Sequence, residues 1–482
     1  MAFAFLQKLK IPHVFTLLTL VIFGCSLLTY VIPSGSYERE VRDINGTPRN
    51  LVIEGTYRPM AKHFSFEGVL KGETVVDKAT PVGVHGFLTA IPRGMEKAAD
   101  IIFFIFVIGG VFGILQRTGV ITATIRMLLD VLGDSHIAMT VVIMVVLAIG
   151  GSTMGMGEEF IPLVPVFLIV SKKMGYDRIF GLAIVILAAQ VGFAAATSNP
   201  FTIGVAQGIA GVELLSGKTF RIVFFIVCIT TTLIYVLRYA ARVKRDPGTS
   251  VLGEEGFEIH VAEDKVEVFT SRHAWILIVS ALIFGLILFA VSKWHWWMAD
   301  MGGGFLLIGL IAAAIGKLSL DETALAFVKG MEDMVVAALV VGFARGIEVV
   351  MLDGQIMDTV IYTAAALLQE VPRLVAVQGM FLFQSVLNFL IPSGSGQAAV
   401  TMPLMAPIAD LIGITRQTAV FAFQCGDGFS NTIIPTSGIL MSMLSLARIP
   451  YDKWLRFMLP LFFQLMILSA IFLVIAVLIN YQ

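Results

Sequence analysis

Long apolar runs separated by short polar segments dominate the chain, and several reach the roughly 20 residues that a helix needs to cross a bilayer. Predominantly apolar runs occupy residues 14–32, 101–116, 220–239, 275–291, 305–315, 335–351 and 455–479. Two longer runs, 178–213 and 416–447, are interrupted by polar residues near the middle. This pattern predicts an all-α polytopic membrane protein.

The two interruptions read "AATSNPFTIG" (195–204) and "DGFSNTIIPTSG" (427–438). A proline inside a helix removes one backbone hydrogen bond and blocks another, so unwinding is expected beside Pro200 and Pro435. In hydrocarbon, unwound backbone persists only against protein or a water-filled cavity. We therefore predict two broken helices whose breaks line a polar cavity. The alternative is that these Ser, Thr and Pro residues only kink the helices.

Each broken helix follows a segment that is typical of a re-entrant hairpin. In the first, 137–171, the apolar arms Ile137–Ile149 and Phe160–Val170 have 13 and 11 residues. At 1.5 Å per residue they reach roughly 15–20 Å, less than a bilayer core of about 30 Å. The second hairpin, 374–412, has the polar tip "PSGSGQ".

The two halves of the chain match each other in an ordered series. Gly94-Met95-Glu96 matches Gly330-Met331-Glu332, and the offset lies between 232 (Ser198 to Ser430) and 241 (Pro162 to Pro403). A stable offset over an ordered series indicates an internal repeat. The predicted parts are an N-terminal helix with an extracytoplasmic segment (1–92), a first repeat (93–242), a cytoplasmic linker (243–270), scaffold helices (271–328) and a second repeat (329–482).

The distribution of basic residues predicts the orientation of these repeats. Lys8 and Lys10 precede the first helix, and "RYAARVKR" (238–245) ends another, so both segments are expected in the cytoplasm. The mouths of the two hairpins then face opposite sides of the membrane, and the repeats are inverted. Inverted repeats with paired polar breaks point to the binding site of a secondary transporter.

Hairpin tips and helix breaks supply the candidate binding residues. They are Ser152, Thr153, Glu158, Glu159, Ser198, Asn199, Pro200, Ser393, Ser395, Gln397, Asp427, Ser430, Asn431 and Thr432. Unwound carbonyls and hydroxyls can bind Na⁺, which we expect near Ser152, Asn199, Ser393 and Asn431. Half-helix N-termini can bind a carboxylate.

Intramembrane carboxylates are costly and mark ion or substrate pathways. Glu158, Glu159 and Asp427 can hold Na⁺, carry a proton or pair with a cationic solute. One of the two glutamates can instead cap the helix at Phe160. Arg345 and Glu348, three residues apart on one helix, fit an intrahelical structural pair better than a substrate contact.

Composition narrows the function classes. Only 14% of the residues are charged, against about a quarter in soluble domains, and the net charge of −1 gives no surface for nucleic acid. Three cysteines lie in apolar runs without metal-like spacing. The sequence has no nucleotide-binding fingerprint, and the breaks contain no nucleophile–base pair, so ATP-driven transport and enzymatic activity are disfavoured. A channel is the remaining alternative to a transporter.

Three stretches carry a resemblance to a known family. They begin "IPHVFTLLTLVIFG" (11–24), "KKMGYDRIFGLAI" (172–184) and "NFLIPSGSGQAAVTMPLMAP" (388–407). Nearly the whole chain resembles the YfcC-like branch of the C4-dicarboxylate anaerobic carrier family, within the ion transporter superfamily. The resemblance implies dimeric, inverted-repeat transporters of the bacterial inner membrane, with a scaffold and an elevator-like moving domain. It also implies that the Ser-Asn pairs and hairpin tips line substrate and Na⁺ sites.

The resemblance leaves two substrate classes open. The family name implies C4-dicarboxylates, whereas YfcC-like members are often labelled basic amino-acid antiporters. Neither tip nor break contains Lys or Arg, and a dicarboxylate would rest on dipoles and hydroxyls alone. The carboxylates therefore favour a cationic or zwitterionic amino acid, with Na⁺ or H⁺ as the coupling ion or by antiport, and no other cofactor is expected.

Overall fold

A computed structural model describes residues 14–44, 47–73, 75–124, 127, 136–258, 269–294, 296 and 298–482. The chain is mostly helical, and seven described helices are long and apolar enough to cross a membrane. The predicted class, a multi-pass helical membrane protein, is confirmed. Lys8 and Lys10, on which the predicted orientation partly rests, lie outside the described residues, as does part of the linker 243–270.

In the first half of the chain, the bounds of nine α-helices can be given from the described residues. They are α1 (Val14–Val31), α2 (Phe66–Lys71), α3 (Val84–Lys97), α4 (Ala99–Arg117), α5 (His136–Met154), α6 (Val164–Lys173), α7 (Arg178–Ala194), α8 (Val205–Ala210) and α9 (Lys218–Arg245). A 3₁₀ helix over Glu158–Leu163 precedes α6, and a π-helical turn over Pro200–Gly204 precedes α8. The polar break in the run 178–213 therefore separates α7 from α8.

The described part of the second half follows a similar order. Its helices are α10 (Ser271–Trp294), α11 (Met298–Gly316), α12 (Leu320–Asp333), α13 (Val335–Asp353), α14 (Met357–Gln369), α15 (Arg373–Leu387), α16 (Gly394–Leu411), α17 (Arg416–Ser430), α18 (Gly438–Leu446) and α19 (Tyr451–Leu478). α15 and α16 form the second helical hairpin, and the break in 416–447 separates α17 from α18. The inverted repeat itself stays a prediction.

Five short strands make the all-α prediction incomplete. β1 (Ser34–Ser36), β4 (Arg58–Lys62) and β5 (Lys78–Ala79) form one small sheet, and β2 (Arg39–Ile44) pairs antiparallel with β3 (Thr47–Val52). These strands are short and mostly exposed, so they lack the apolar alternation that marks a strand in a sequence.

Tertiary contacts hold this strand segment in place. Arg39 Nη2 lies 2.6 Å from the Asp358 carboxylate of α14, and the Tyr37 amide donates to the same carboxylate at 2.9 Å. The Tyr57 and Tyr362 rings stack with centroids 4.0 Å apart. The polar segment between α1 and α3 is therefore ordered by its contacts with α14.

The first arm of the first hairpin is longer than predicted. α5 has 19 residues and continues through Gly150-Gly151-Ser152-Thr153, so it is about 28 Å long, longer than the predicted 13-residue arm. Glycine there permits close packing on α7, since a Cβ at Gly151 would lie 2.5 Å from the Ala189 carbonyl oxygen. The Thr153 hydroxyl also donates to the Ile149 carbonyl at 2.7 Å. Tertiary packing thus overrides the low helix propensity of the "GGST" sequence.

Close glycine crossings join the helices into two groups. The first group contains α1, α3, α4 and α10–α13, and the second contains the hairpins, the broken helices, α9 and α19. In the first, a Cβ at Gly94 would lie 2.5 Å from Gly342 O, and one at Gly330 would lie 2.1 Å from Gly109 O. In the second, a Cβ at Gly428 of α17 would lie 2.3 Å from the Cα of Ala194 in α7.

Reciprocal arginines tie the two broken helices together. Arg178, the first residue of α7, donates to the Arg448 carbonyl just beyond α18 at 2.9 Å. Arg416, the first residue of α17, donates to the Ala210 carbonyl at the end of α8 at 2.8 Å. Each arginine thus satisfies a carbonyl at a helix C-terminus, where cations are favoured.

Helix α9, which contains the apolar run 220–239, is assigned to the second group by its contacts. Phe224 of α9 packs edge-on against Phe421 of α17 with ring centroids 5.0 Å apart, and Tyr239 packs against Phe457 of α19 at 4.8 Å. α9 also contacts α7. The hydropathy of an apolar run gives no information on which helices it will contact, so this assignment depended on tertiary packing.

We expect Gly330→Ala to lower the free energy of unfolding by about 1–3 kcal/mol, because the new methyl overlaps the Gly109 carbonyl and forces α4 and α12 apart. Thermal unfolding in detergent measures the change. Gly303→Ala is the matched control, since nothing lies within 4 Å of a Cβ at that helical position. An equal effect of both variants would contradict the tight crossing.

Candidate functional site

A cavity of about 240 Å³ lies between the two helix groups. Lys97 of α3, Asp100 of α4 and Arg345 of α13 line one wall. The opposite wall is formed by the first hairpin tip, the second hairpin tip and residues that follow both helix breaks. A small solute in this cavity would contact both helix groups at once.

The first break is held by the end of α5. The Thr197 amide donates to both the carbonyl and the hydroxyl of Ser152 at 3.0 Å, and the Ser198 amide donates to the same carbonyl at 3.3 Å. Asn199 begins the π-helical turn by accepting the Phe201 amide at its Oδ1, at 2.9 Å. The backbone that Pro200 frees from the helix is therefore satisfied by side chains and by the neighbouring hairpin.

A buried arginine donates hydrogen bonds to the unwound backbone of the first break. Arg221 of α9 is 1% exposed, and its Nε and Nη2 donate to the Thr197 carbonyl at 3.2 and 3.1 Å. Its Nη1 donates to the Ser216 carbonyl at 2.8 Å and to the Tyr481 hydroxyl at 2.9 Å. This guanidinium makes no ion pair within the described part of the chain. It therefore places a positive charge directly behind the unwound segment.

The second break is held by a different set of side chains. Asn388 donates through Nδ2 to the Asp427 carbonyl at 2.7 Å and to the Ser430 hydroxyl at 2.8 Å. The Trp454 indole donates to the Thr432 carbonyl at 2.9 Å. The Asp427 side chain is fully buried, and neither carboxylate oxygen has a hydrogen-bond partner among the described residues.

Both hairpin tips reach the cavity. Glu158 and Glu159 begin the 3₁₀ helix of the first tip, and Glu159 accepts the Gly157 amide at 2.9 Å, as a residue near a helix N-terminus can. Ser393 caps α16 by accepting the Gly396 amide at 3.4 Å. Gln397 lies one turn further into α16 and donates to the Gln384 side chain at 2.7 Å.

The structure places the predicted residues in two layers. Glu158, Glu159, Ser393, Ser395 and Asn431 line the cavity. Outside the lining are Ser152, Thr153, Ser198, Asn199, Pro200, Gln397, Asp427, Ser430 and Thr432. Most of this second set support the breaks through hydrogen bonds, whereas Pro200 is exposed.

The groups predicted to surround Na⁺ are largely engaged in protein hydrogen bonds. The carbonyl and hydroxyl oxygens of Ser152 accept hydrogen bonds from the backbone of the first break. Asn431 Oδ1 accepts a hydrogen bond from Asn388 Nδ2 at 3.0 Å. The described residues hold no cluster of three His, Cys, Asp or Glu side chains that could bind a metal ion. In the described parts of the hairpins and broken helices, the buried side-chain oxygens without protein partners lie elsewhere, on Asp427, Thr202, Asn388, Gln397, Gln424 and Thr436.

Sequence reasoning missed the charged residues on the wall formed by α3, α4 and α13. The hairpin tips and helix breaks contain no Lys or Arg, but Lys97 of α3 and Arg345 of α13 line the cavity. Arg345 also forms the predicted pair with Glu348, at 2.8 Å. An anionic group in the cavity would therefore have cations nearby, contrary to the expectation of dipoles and hydroxyls alone.

Comparisons with known proteins show which family this chain resembles. The family model described as "C4-dicarboxylate anaerobic carrier" matches residues 11–478. The chain is 33% identical over 516 aligned residues to "Putative basic amino acid antiporter YfcC" of Escherichia coli (strain K12), with 99% of this chain and 98% of that protein covered. An "Uncharacterized protein" of Haemophilus influenzae (strain ATCC 51907 / DSM 11121 / KW20 / Rd) is 29% identical and covers 98% of both chains.

Two solved transporter structures align along the chain at low similarity. The YdaH transporter of Alcanivorax borkumensis has 16% identity and a TM-score of 0.45, covering 98% of this chain and 99% of its own. Neisseria gonorrhoeae MtrF has 17% identity and a TM-score of 0.46, covering 98% of both chains. At this similarity neither structure informs the substrate or the mechanism.

We expect Tyr481→Phe to destabilise the protein by about 1–3 kcal/mol, because it leaves a buried Arg221 donor without its partner. Thermal unfolding in detergent tests this. Tyr30→Phe is a suitable control, since the described residues offer its hydroxyl no hydrogen bond. Equal melting temperatures for Tyr481→Phe and the wild type would show that the Arg221 network does not support the first break.

Proposed function

Because this chain belongs to the C4-dicarboxylate anaerobic carrier family, we propose that it is a secondary active transporter of a small organic ion, most simply a basic or other amino acid. Transport would be by antiport or coupled to Na⁺ or H⁺. We place the protein in the bacterial inner membrane as a homodimer with a cytoplasmic N-terminus. The family and the helical architecture favour a transporter over an enzyme.

The charges lining the cavity are the observation that carries the substrate proposal. Asp100, Glu158 and Glu159 face it together with Lys97 and Arg345. Arg345 is already paired with Glu348 at 2.8 Å. The carboxyl groups outnumber the cations, which favours a solute with a positive charge, while Lys97 and Arg345 can receive a carboxylate. A basic amino acid carries both kinds of group.

A C4-dicarboxylate is the second candidate. It is supported by the family description and by the two cations at the cavity wall. A solute with two carboxylates would then use Lys97 and Arg345 and leave Glu158 and Glu159 to a coupling cation. Binding measurements with both classes of solute separate the candidates.

The position of the cavity supports an elevator-type alternating-access mechanism. Its two walls belong to different helix groups, and α13 meets α18 at a close contact where a Cβ at Gly438 would lie 2.8 Å from Val341 Cγ2. In the proposal, the hairpins and broken helices move as one body against α3, α4, α11 and α13. The solute would be carried with the moving body from one side of the membrane to the other.

We expect Glu158→Gln and Glu159→Gln each to lower arginine exchange in proteoliposomes by about tenfold or more, since each removes a negative charge facing a cationic solute. The measurement is uptake of labelled arginine against internal arginine, after a thermal-shift screen with arginine, ornithine and succinate, with and without Na⁺. Glu332→Gln is the control, because Glu332 is an exposed partner of Lys329.

The outcomes of this experiment separate the candidates. Stabilisation by arginine or ornithine with saturable exchange supports an amino-acid antiporter. Stabilisation by succinate alone selects the dicarboxylate carrier. A large ionic current without saturable exchange contradicts a transporter and indicates a channel.

A further inference from the structure

A cavity of about 430 Å³ lies among helix ends of the first group, and it shares no described lining residue with the candidate solute cavity. The end of α4, the start of α10 and the end of α11 form its walls. The polar residues that line it are Arg117, Thr118, Thr270, Arg272 and His273. Two guanidinium groups therefore face this space, and the described lining contains no carboxyl group.

One of the two arginines lacks an acidic partner. Arg117 Nη2 lies 2.9 Å from the Glu322 carboxylate of α12. Arg272 is exposed, and no described acidic side chain forms an ion pair with it. Guanidinium groups bind the oxygens of phosphate in a bidentate geometry. The charge of this cavity is thus complementary to an anionic group with several oxygens.

Tryptophans on α10 place the cavity at the depth of lipid headgroups. Trp275 and Trp294 are 59% and 57% exposed, and the helix between them is about 28 Å long. This length is close to a hydrocarbon core of about 30 Å, and exposed tryptophans concentrate at both edges of that core. Arg272 lies about one helical turn outside Trp275, so it is expected among the headgroups.

Exposed apolar side chains continue from the cavity along the same face of α10. Ile278, Leu282 and Leu286 are 48%, 69% and 46% exposed, and they follow Trp275 at helical spacing. An acyl chain can lie along this face while its headgroup reaches the arginines. A soluble anion would leave the apolar face unused, which favours a lipid as the occupant.

The flanking charges indicate the leaflet. α10 begins after the linker that follows "RYAARVKR" (238–245), so the cavity lies on the predicted cytoplasmic side. Anionic lipids give the cytoplasmic surface of a membrane its negative potential, and basic pockets between helices on that side bind lipid headgroups.

We propose that this cavity binds the phosphate-bearing headgroup of an anionic phospholipid from the cytoplasmic leaflet. The guanidinium groups of Arg117 and Arg272 contact the phosphate oxygens, and an acyl chain lies against α10 beside Trp275. The bound headgroup joins the ends of α4, α10 and α11, so the lipid stabilises the first helix group. This site does not depend on which solute the protein transports.

Lipid titration of the purified protein in detergent tests the site, with phosphatidylglycerol as the probe. Phosphatidylcholine is the zwitterionic comparison and inorganic phosphate the soluble one. Native mass spectrometry measures lipid binding, and thermal unfolding measures stabilisation. In the wild type, phosphatidylglycerol should raise the melting temperature more than either comparison. Arg272→Gln should weaken phosphatidylglycerol binding by about fivefold or more, because it removes one of the two charges that face the phosphate.

Two control variants separate the site from general electrostatic attraction. Arg245→Gln removes an exposed charge at the end of α9, on the same side of the membrane, from a residue that does not line the cavity. It should leave phosphatidylglycerol binding within about twofold of the wild type. Glu322→Gln removes the ion-pair partner of Arg117 and leaves both cations of the cavity in place, so binding should be retained or strengthened.

Three results would overturn the proposal. Equal weakening by Arg245→Gln and Arg272→Gln would indicate unspecific attraction. Equal stabilisation by inorganic phosphate would exclude the lipid as the occupant, and equal stabilisation by phosphatidylcholine would exclude selection for an anionic headgroup. If Arg272→Gln does not fold, Thr270→Glu must weaken phosphatidylglycerol binding to a similar extent, because it brings a carboxylate into the cavity from an exposed position.

Discussion

Unwound backbone within a membrane must find hydrogen-bond partners in the protein, and the fold around the two helix breaks follows from this requirement. At the first break, Ser152 of α5 and Arg221 of α9 supply those partners. At the second, Asn388 and Trp454 supply them from the α15–α16 hairpin and from α19. Each break therefore persists only while its hairpin and its supporting helix stay packed beside it, which makes these elements one structural unit.

Similar sequence signals at the two breaks lead to different local chemistry. Ser-Asn is present at both, yet Asn199 opens a π-helical turn while Asn431 ends α17. The supporting side chains differ as well, since a guanidinium lies behind the first break and an unpartnered carboxylate lies at the second. The two breaks therefore differ in local chemistry although their sequences are alike.

The sequence predicts the breaks well because their cause is local. Proline and a cluster of polar residues within an apolar run have few physical explanations in a membrane. It fails where tertiary packing decides the outcome. The "GGST" end of α5 appears polar and flexible in isolation but is helical because Gly151 packs on Ala189. Likewise, Lys97 and Arg345 line the cavity from α3 and α13, which cross closely at Gly94, and no local pattern indicates that crossing.

The distribution of polar contacts bears on how the two helix groups could move. Within the group that contains the breaks, Arg178 and Arg416 each cap the far end of the other broken helix. The contact between α13 and α18 is built from small side chains, with Gly438 against Val341 and the Ser442 hydroxyl donating to the Ala337 carbonyl at 2.6 Å. Sliding along such a surface exchanges weak packing contacts, whereas separating the broken helices would expose arginine-capped carbonyls. We therefore expect motion between the groups to be less costly than motion within the second group, which is consistent with the proposed elevator mechanism.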